Sequence, residues 1–283
     1  MRPVVSGRGG DRGGPRRRRG LPSVWGVIVL ILAATPAAAG VADRIGATFA
    51  LMAQDFIEAA QPIEGVVVSA EGDLIYLDVG EAAGAQVGQE LTVFRKGEPF
   101  YHQLTGRLLG RYEDLLGHAQ IRRVEPGFSE AIFIPLSDRP HPRAEDGVRI
   151  SRGRIRLAVT PVLDLTTTGA DVRRVPYMLA SVLERSRRFQ VLDPLTVGDM
   201  FAAGSVRVEE VLARPDRAVR NAKNLDVSGW LIPVLLERRG VLYLDVTWVS
   251  AVTGTPLFSR RRPLLPTGAA EAQRFPWEPR PED

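Results

Sequence analysis

The chain of 283 residues contains no cysteine and only two lysines, Lys96 and Lys223. Without cysteine there is no disulfide bond, no thiolate metal site, no cysteine nucleophile and no cysteine that could carry a lipid after signal cleavage. The folded state must therefore depend on a hydrophobic core. A hydrophobic content of 45% is that of a folded chain rather than a disordered one.

Histidine is also scarce, and the sequence lacks the motifs of common catalytic sites. The three histidines, His102, His118 and His141, do not have the spacing of metal ligands. Nucleophile-elbow, S-x-x-K and phosphate-loop motifs are absent from the sequence. Carboxylates are plentiful, but one sequence does not show which of them face each other. We therefore predict no catalytic residue, no metal ligand and no cofactor.

The chain begins with arginines followed by a short apolar run. Four consecutive arginines precede the apolar residues 24–34, and Ala37 and Ala39 fit an A-x-A cleavage site ahead of Gly40. This order is typical of an export signal. We predict that residues 1–39 are a signal peptide and that the mature chain is periplasmic.

The same segment changes how the net charge is interpreted. The chain has 37 basic and 33 acidic residues, and residues 1–39 contain seven of the arginines but a single aspartate. The remainder is close to neutral, so we predict no nucleic-acid partner. Two alternatives stay open for the segment, namely a twin-arginine signal and an uncleaved anchor, because residues 21–42 carry no charge. Only an uncleaved anchor would bring the chain to the membrane.

Residues 40–62 form the next segment, which has a helical pattern. Ile45, Phe49, Met52 and Phe56 recur at spacings of three and four, with charged residues between them, and Pro62 ends the pattern. We predict an amphipathic helix. Packing on the following domain is favoured over a partner-facing or oligomerisation helix, because one apolar stripe needs only one surface.

Residues 63–150 change to short alternating strands with frequent glycines. This pattern predicts a small antiparallel β-barrel, in which glycines form the tight turns and bulges. Between Gly97 and Gly117 the pattern is longer, charged and irregular, so we predict an extended loop there. A second exposed loop is predicted from Pro135 to Asp146.

Residues 154–263 alternate between strand and helix patterns and end in three strands. The predicted helices begin near Val172, Pro194 and Pro215, and the final strands form a meander. Pro233 in the first strand of the meander predicts an edge position or a bulge. The proline-rich, charged residues 264–283 are expected to remain disordered. The fold class expected for the whole chain is α+β, with a barrel followed by an α/β domain that has a mixed sheet.

Two resemblances follow from these patterns. Residues 63–150 resemble the C-terminal SH3-like barrel of the flagellar H-ring assembly protein family, on the segments 65–68, 91–95, 105–110, 116–121 and 128–131. Residues 154–263 resemble the small α/β domain shared by the Tol system's periplasmic protein, the H-ring protein and the curli secretion lipoprotein. The residues that carry this second resemblance are 156–161, 179–193, 222–232, 242–246 and 253–254.

The chain also departs from each relative. The barrel precedes the α/β domain, unlike the order in the H-ring family. No lipid-carrying cysteine and no propeller repeats are present, unlike in the curli and Tol proteins respectively. The resemblance therefore implies an architecture rather than one family's task.

The resembled families imply a non-enzymatic periplasmic adaptor or assembly protein that docks a protein partner in a cell-envelope machine, whether flagellar, secretion or Tol-like. We expect binding through the predicted loop, with candidate residues Gly97, Tyr101, Arg107, Arg111, Tyr112 and Gly117. One alternative is a ring- or pore-forming subunit, hence a homo-oligomer. The other is an envelope glycan or peptide hydrolase, which would need two carboxylates across a cleft.

Overall fold

The computed structural model describes residues 40–204 and 206–266. The predicted signal peptide, with Ala37 and Ala39, lies outside this range. The first element is helix α1, Val41–Ala59, for which Gly40 is the N-cap residue. Within these ranges, no helix combines the length and the apolar character that crossing a membrane requires.

Six antiparallel strands form a closed barrel after α1. Their order around the barrel is β1-β2-β5-β4-β3-β6, and pairing of β1 with β6 closes it. Alternate residues point inward, and Ile75, Leu91 and Phe133 are among the buried side chains of this core. The predicted antiparallel barrel is confirmed, whereas its SH3-like character stays a prediction. The bounds are β1 Ile63–Glu71, β2 Leu74–Leu77, β3 Glu90–Tyr101, β4 Leu108–Val124, β5 Ser129–Pro135 and β6 Gly147–Ile150.

A mixed sheet follows, in the order β12-β11-β10-β7-β9, with a short β8 also pairing with β10. The strand β7 runs parallel to β9 and β10, and β10, β11 and β12 form the antiparallel meander. The predicted α+β class with a mixed sheet and a C-terminal meander is confirmed. The bounds are β7 Ile155–Val159, β8 Leu163–Asp164, β9 Phe189–Val191, β10 Gly229–Arg238, β11 Val241–Ser250 and β12 Pro256–Pro263.

The position of Pro233 differs from the prediction, because β10 is a central strand and not an edge. On one side Pro233 lies opposite Val246 of β11. On the other side, β7 pairs with β10 up to Leu231 and β8 resumes pairing at Val234. Pro233 is therefore level with the gap between β7 and β8. A central strand tolerates proline at this point, since the parallel ladder is already interrupted there.

Four further helices complete the layers around the mixed sheet. Side chains of α1 and α2 cover one face of the sheet, and α3, α4 and α5 contribute to the core on the other face. Proline occupies the first turn of α2, α3 and α5, where its missing N–H costs no helical hydrogen bond. The bounds are α2 Val175–Arg185, α3 Pro194–Ala202, α4 Val208–Ala213 and α5 Pro215–Leu225.

Helix α1 packs against the mixed sheet and not against the barrel that follows it in sequence. Phe49 and Phe56 share one core with Leu231 and Leu244 of the sheet, and the Phe56 ring lies 5.0 Å from that of Phe258. The barrel has its own apolar core inside its closed wall. The unclosed sheet has an apolar face to cover, so the α1 stripe packs there.

The end of the described chain also belongs to this layer. Leu264 is buried, and its N–H donates to the Leu242 carbonyl. The Leu265 carbonyl accepts from Arg44 Nε at 2.6 Å, and the Leu265 N–H donates to Thr48 Oγ1. Ordered contacts with α1 therefore continue past residue 264, where the predicted tail begins; residues 267–283 lie outside the described ranges.

Candidate functional site: an exposed β-arm

Strands β3 and β4 continue beyond the barrel as a two-stranded ribbon. The pairing of β3 with β6 ends at Phe94, and β4 pairs with β5 only from Gly117 onward. Between these points β3 and β4 pair only with each other, as in Lys96 opposite Glu113. We call residues 95–116 the arm. The prediction of an irregular loop here was wrong, because cross-strand pairing orders all but the six residues 102–107.

The arm contains five of the six candidate residues. Gly97 and Tyr101 lie in β3, Arg107 lies in the turn, and Arg111 and Tyr112 lie in β4. The Arg111 guanidinium donates to the Gly97 carbonyl at 3.3 Å across the two strands.

Gly117 is the exception, because it belongs to the barrel wall. It pairs with Val93 on one side and Pro135 on the other, and it is buried. A Cβ atom at this position would lie 2.3 Å from the Ile134 carbonyl oxygen, so glycine is required for close strand packing. Gly117 is thus a structural residue at the base of the arm.

The arm exposes more large apolar side chains than the candidate residues include. Leu104 at the tip is 92% exposed and Tyr112 is 63% exposed. Five of these residues were not among the candidates predicted from the sequence, although the Leu108–Leu109 pair in a charged segment was a visible signal. The exposed apolar residues of the arm are Phe100, Tyr101, Leu104, Leu108, Leu109, Tyr112 and Leu115.

The tip of the arm is a defined turn. His102 donates its N–H to the Arg107 carbonyl, and its own carbonyl accepts from Gly106, whose φ is +63°. The His102 Nδ1 atom accepts from the N–H groups of Leu104 and Thr105 at 3.2 and 3.3 Å. Glycine suits the left-handed conformation at position 106. The exposed Leu104 is therefore presented on an ordered turn.

Below the turn, aromatic contact and ion pairs hold the arm to the barrel. The rings of Phe100 and Tyr112 lie 5.0 Å apart on neighbouring strands. At the base, Arg149 of β6 donates to both Glu113 carboxylate oxygens and lies over the Phe94 ring, 4.2 Å from its centre. The hydrogen bond from Arg149 lowers the pKa of Glu113.

A second ion pair lies on the neighbouring side of the arm's base. Arg95 donates to both carboxylate oxygens of Asp146, at 2.8 and 2.7 Å, and its pKa is raised chiefly by that hydrogen bond. Asp146 is buried and also accepts from the Arg143 N–H. This pair ties the first residue of the arm to the loop between β5 and β6.

The histidines and acids do not assemble around the arm as a chemical centre. Over residues 40–204 and 206–266 there is no group of three or more histidine, aspartate or glutamate side chains placed to hold a metal ion. His118 lies on the outer face of β4, where burial lowers its pKa. His141 lies 4.0 Å from Asp73 and beside the Phe133 ring.

The arrangement described above is a closed barrel bearing an exposed apolar arm, joined to a three-layer α/β region. No protein-family model and no curated protein matches the chain. Among solved structures, the LpoB C-terminal domain from Escherichia coli matches with a TM-score of 0.33 and 14% identity, over 40% of this chain and 83% of that domain.

Two further solved structures are similar at about the same level. The lipoprotein GNA1162 from Neisseria meningitidis matches with a TM-score of 0.28 and 16% identity, over 38% of this chain and 81% of that one. PelC from Paraburkholderia phytofirmans, a dodecamer, matches with a TM-score of 0.25 and 17% identity, over 39% of this chain and 72% of that one. Similarity this low does not identify a partner or an activity. The resemblances to the H-ring and Tol families stay predictions.

Proposed function

We propose that this chain is a non-enzymatic adaptor of the cell envelope, which works in the periplasm and holds a protein partner with the arm. The observation that carries the proposal is the exposure of seven large apolar side chains on one ordered ribbon. A contiguous group of exposed apolar residues is characteristic of a protein-binding surface, whereas single exposed ones are ordinary.

The composition of the arm suits a protein–protein contact. Phe100, Tyr101 and Tyr112 provide aromatic side chains, which are enriched in the buried centres of interfaces. Arg107 and Arg111 supply long polar side chains beside them. A partner that buried this surface would remove apolar area from water at roughly 25 cal/mol for each Å².

The backbone of the arm offers a second means of binding. Within the described part of the chain, β6 leaves the outer edge of β3 unpaired beyond Phe94, and the outer edge of β4 is unpaired before Leu116, whose carbonyl accepts from the Leu136 N–H. An unpaired strand edge can accept an extended segment of a partner as an added strand. Backbone hydrogen bonds would then add to the apolar contact.

The proposed location rests on the sequence. A basic segment, an apolar run and an A-x-A site precede Gly40, and α1 begins at Val41, directly after the expected cleavage point. Cleavage at this site would leave the whole of α1 in the mature chain. The partner is then an envelope protein, of a flagellar, secretion or Tol-like machine.

Site-specific photo-cross-linking in intact cells tests the proposal. A photoreactive phenylalanine analogue is placed at Leu104 of the arm, or at Leu165 as a control, because Leu165 is an exposed leucine (61%) in the mixed-sheet region. The expected result is one envelope protein, attached from position 104 and at least tenfold less from position 165.

Three results would contradict the proposal. Equal attachment from both positions would show that the arm is not the binding surface. Attachment to cytoplasmic proteins alone would overturn the envelope location. Self-cross-links alone would overturn the adaptor in favour of a ring-forming subunit.

A further inference from the structure

The outer edge of β4 within the arm is a free strand edge. Among the described residues, no backbone group pairs with this edge between Leu108 and Leu115. The barrel reaches the edge only at Leu116, whose carbonyl accepts from the Leu136 N–H. Such an edge can be extended by one further strand, and its own sequence indicates which strand that is.

The sequence of this edge is arranged symmetrically about Tyr112. One residue away on either side stand Arg111 and Glu113, which carry opposite charges. Three residues away on either side stand two leucines, Leu109 and Leu115. All five residues are exposed. When two such edges lie antiparallel, each side chain can therefore face a suitable counterpart in a second copy.

Two copies joined edge to edge are related by a two-fold axis, which limits the possible registers. Opposed residues lie on the same face of a sheet and side chains alternate between faces, so the axis must pass through one residue that opposes itself. The free edge 108–115 is used most fully when that residue is Arg111, which pairs 108–114, or Tyr112, which pairs 109–115.

Charge decides between these two registers. An axis at Arg111 would place two arginines opposite each other and Leu109 opposite Glu113. An axis at Tyr112 instead places Arg111 opposite Glu113. Leu109 then lies opposite Leu115. Like charges directly opposite each other destabilise a strand pair, whereas opposite charges and paired apolar side chains stabilise it, so the register centred on Tyr112 is favoured.

Both charged residues of this register retain capacity for the second copy. Arg111 donates to the Gly97 carbonyl at 3.3 Å, and its guanidinium has further donors. Glu113 accepts from two nitrogens of Arg149, and a carboxylate has lone pairs for additional donors. The hydrogen bond from Arg149 lowers the pKa of Glu113. Glu113 is thus held as an anion beside the free edge.

We propose that two copies of this chain pair through the outer edge of β4, antiparallel and centred on Tyr112, to form a dimer with one continuous sheet of four arm strands. The occupant is a second copy, because a partner of another sequence would not require the symmetry about Tyr112. The outer edge of β3 and the tip at Leu104 remain free for the envelope protein. The dimer does not depend on that protein, so either can fail without the other.

The ends of the free edge are compatible with this arrangement. Gly110 pairs with Phe100 and Leu108 with Tyr101, so one extra residue of β4 forms a bulge at position 109. A bulge bends its strand and increases the local twist. The turn of each arm can therefore leave the shared edge before it meets β5 of the other copy.

Cysteine cross-linking tests the register, since the natural chain contains no cysteine. The single-cysteine variants Tyr112→Cys, Arg111→Cys and Leu104→Cys are purified as full chains and oxidised under identical conditions. Opposed residues of an antiparallel pair have Cα atoms about 4.5–5.5 Å apart, which suits a disulfide bond. Arg111→Cys reports the competing register, and Leu104→Cys reports chance collision at an exposed position.

We expect Tyr112→Cys to form covalent dimers at least roughly tenfold faster than the other two variants, as measured by non-reducing electrophoresis. Its cysteine alone opposes its own copy across the axis. Equal rates for the three variants, or a fastest rate at Arg111→Cys, would overturn the proposal.

Charge reversal tests the pairing without a covalent bond. Arg111→Glu or Glu113→Arg alone places like charges opposite each other at both pairs of the dimer. In an equimolar mixture of the two variants, each chain supplies the charge that the other lacks. Arg107→Glu is the matched control, because it makes the same change of charge in the turn, outside the pairing.

Analytical ultracentrifugation of the purified chains measures the dimer. The natural chain and Arg107→Glu should dimerise alike, either reversal at 111 or 113 should raise the dissociation constant by roughly tenfold or more, and the mixture should restore the dimer. A natural chain that stays monomeric at every concentration would overturn the proposal, and so would equal effects of Arg111→Glu and Arg107→Glu. Circular dichroism confirms that each variant is folded. Because only the purified chain is used, these results do not depend on cross-linking to an envelope protein in cells.

Discussion

The mixed sheet and the arm are both built of strands with apolar side chains, but these side chains are buried in the sheet and exposed on the arm. Leu231 and Leu244 of the sheet are fully buried beneath α1 and α2. On the arm, Leu104 and Tyr112 remain exposed on an ordered ribbon. The sheet has helices to cover it, whereas no described element covers the arm.

Helix α1 covers the mixed sheet although the two are far apart in sequence. The helix precedes the whole barrel in sequence, and yet its Phe49, Met52 and Phe56 complete the core of a sheet that begins at β7. Contacts so distant in sequence carry an entropic cost for closing a long loop, which buried apolar area must offset. The arm receives no such cover, which is why we assign that role to a partner.

Truncation of a core residue of α1 should have the largest effect on stability. Phe49 is fully buried against the sheet, so Phe49→Ala removes its contacts and leaves a cavity. We expect the free energy of unfolding to fall by about 4 kcal/mol. Chemical denaturation monitored by circular dichroism measures the change.

Leu51→Ala is the matched control on the same helix, because Leu51 is 47% exposed. We expect a change within about 0.5 kcal/mol for this variant. If both substitutions cost the same, α1 would not be an integral part of the mixed-sheet core.

Arg188 links the two regions at the points where the chain crosses between them. Its guanidinium donates to the carbonyls of Ala60, between α1 and β1, and of Ser151 and Gly153, between β6 and β7. Arg188 is 7% exposed, and burial lowers its pKa. One planar group with several donors thus fixes both connections.

Arg188→Met should have the second-largest effect. Methionine keeps much of the volume but leaves the three carbonyls without their donor, so we expect a loss of about 3 kcal/mol. Arg185→Met, an exposed position on α2, should change stability by less than about 0.5 kcal/mol. Differential scanning calorimetry of both variants provides the measurement. Equal melting temperatures would show that the Arg188 contacts contribute nothing to the junction.

The barrel, α1 and the meander could be predicted from the sequence, because their apolar residues recur with the period of the element that buries them. The surface that α1 covers could not be predicted, since an amphipathic stripe does not specify its partner. Nor could the role of Arg188 be recognised, because a buried guanidinium looks in sequence like any other arginine of a basic cluster. The edge position or bulge predicted from Pro233 was wrong for a related reason, because the gap between β7 and β8 is a tertiary feature that the sequence does not display.

The sequence predicted where the arm lies in the chain, but not that it is a ribbon of two paired strands. Its charged residues interrupt the alternation that identifies a buried strand, since neither face of the ribbon is covered. Pairing such as Lys96 with Glu113 depends on register, which the sequence alone does not display. The candidate residues therefore included Gly117 of the barrel wall and omitted Leu104 at the tip.

Glu90 should make the contact between barrel and sheet weakly dependent on pH. Burial raises its pKa above the ordinary 4.5, so the folded state holds the proton more tightly than the unfolded state. Stability from this group therefore increases as pH falls from above its folded pKa towards 4.5, and it levels off below. Glu90→Gln lacks this gain but retains an oxygen to accept from Ser250.

The melting temperatures of the natural chain and of Glu90→Gln are compared at pH 7 and pH 4.5. The advantage of the glutamine variant should be larger at pH 7 and should decrease at pH 4.5. Glu237→Gln, at an exposed position of β10, should show no such change with pH. A difference that is the same at both pH values would contradict the raised pKa.

Substitutions on the arm should have the smallest effect on stability and thereby test the comparison most directly. Leu104→Ser and Tyr112→Ser replace side chains that are 92% and 63% exposed, so each should change the free energy of unfolding by less than about 0.5 kcal/mol. Removing the same kind of side chain from the core costs several kcal/mol. Denaturation curves that match those of the natural chain, together with loss of cross-linking to the partner, would mean that the apolar residues of the arm serve binding alone. A large loss of stability would instead mean that the arm is covered by the chain itself, and the contrast with the mixed sheet would no longer hold.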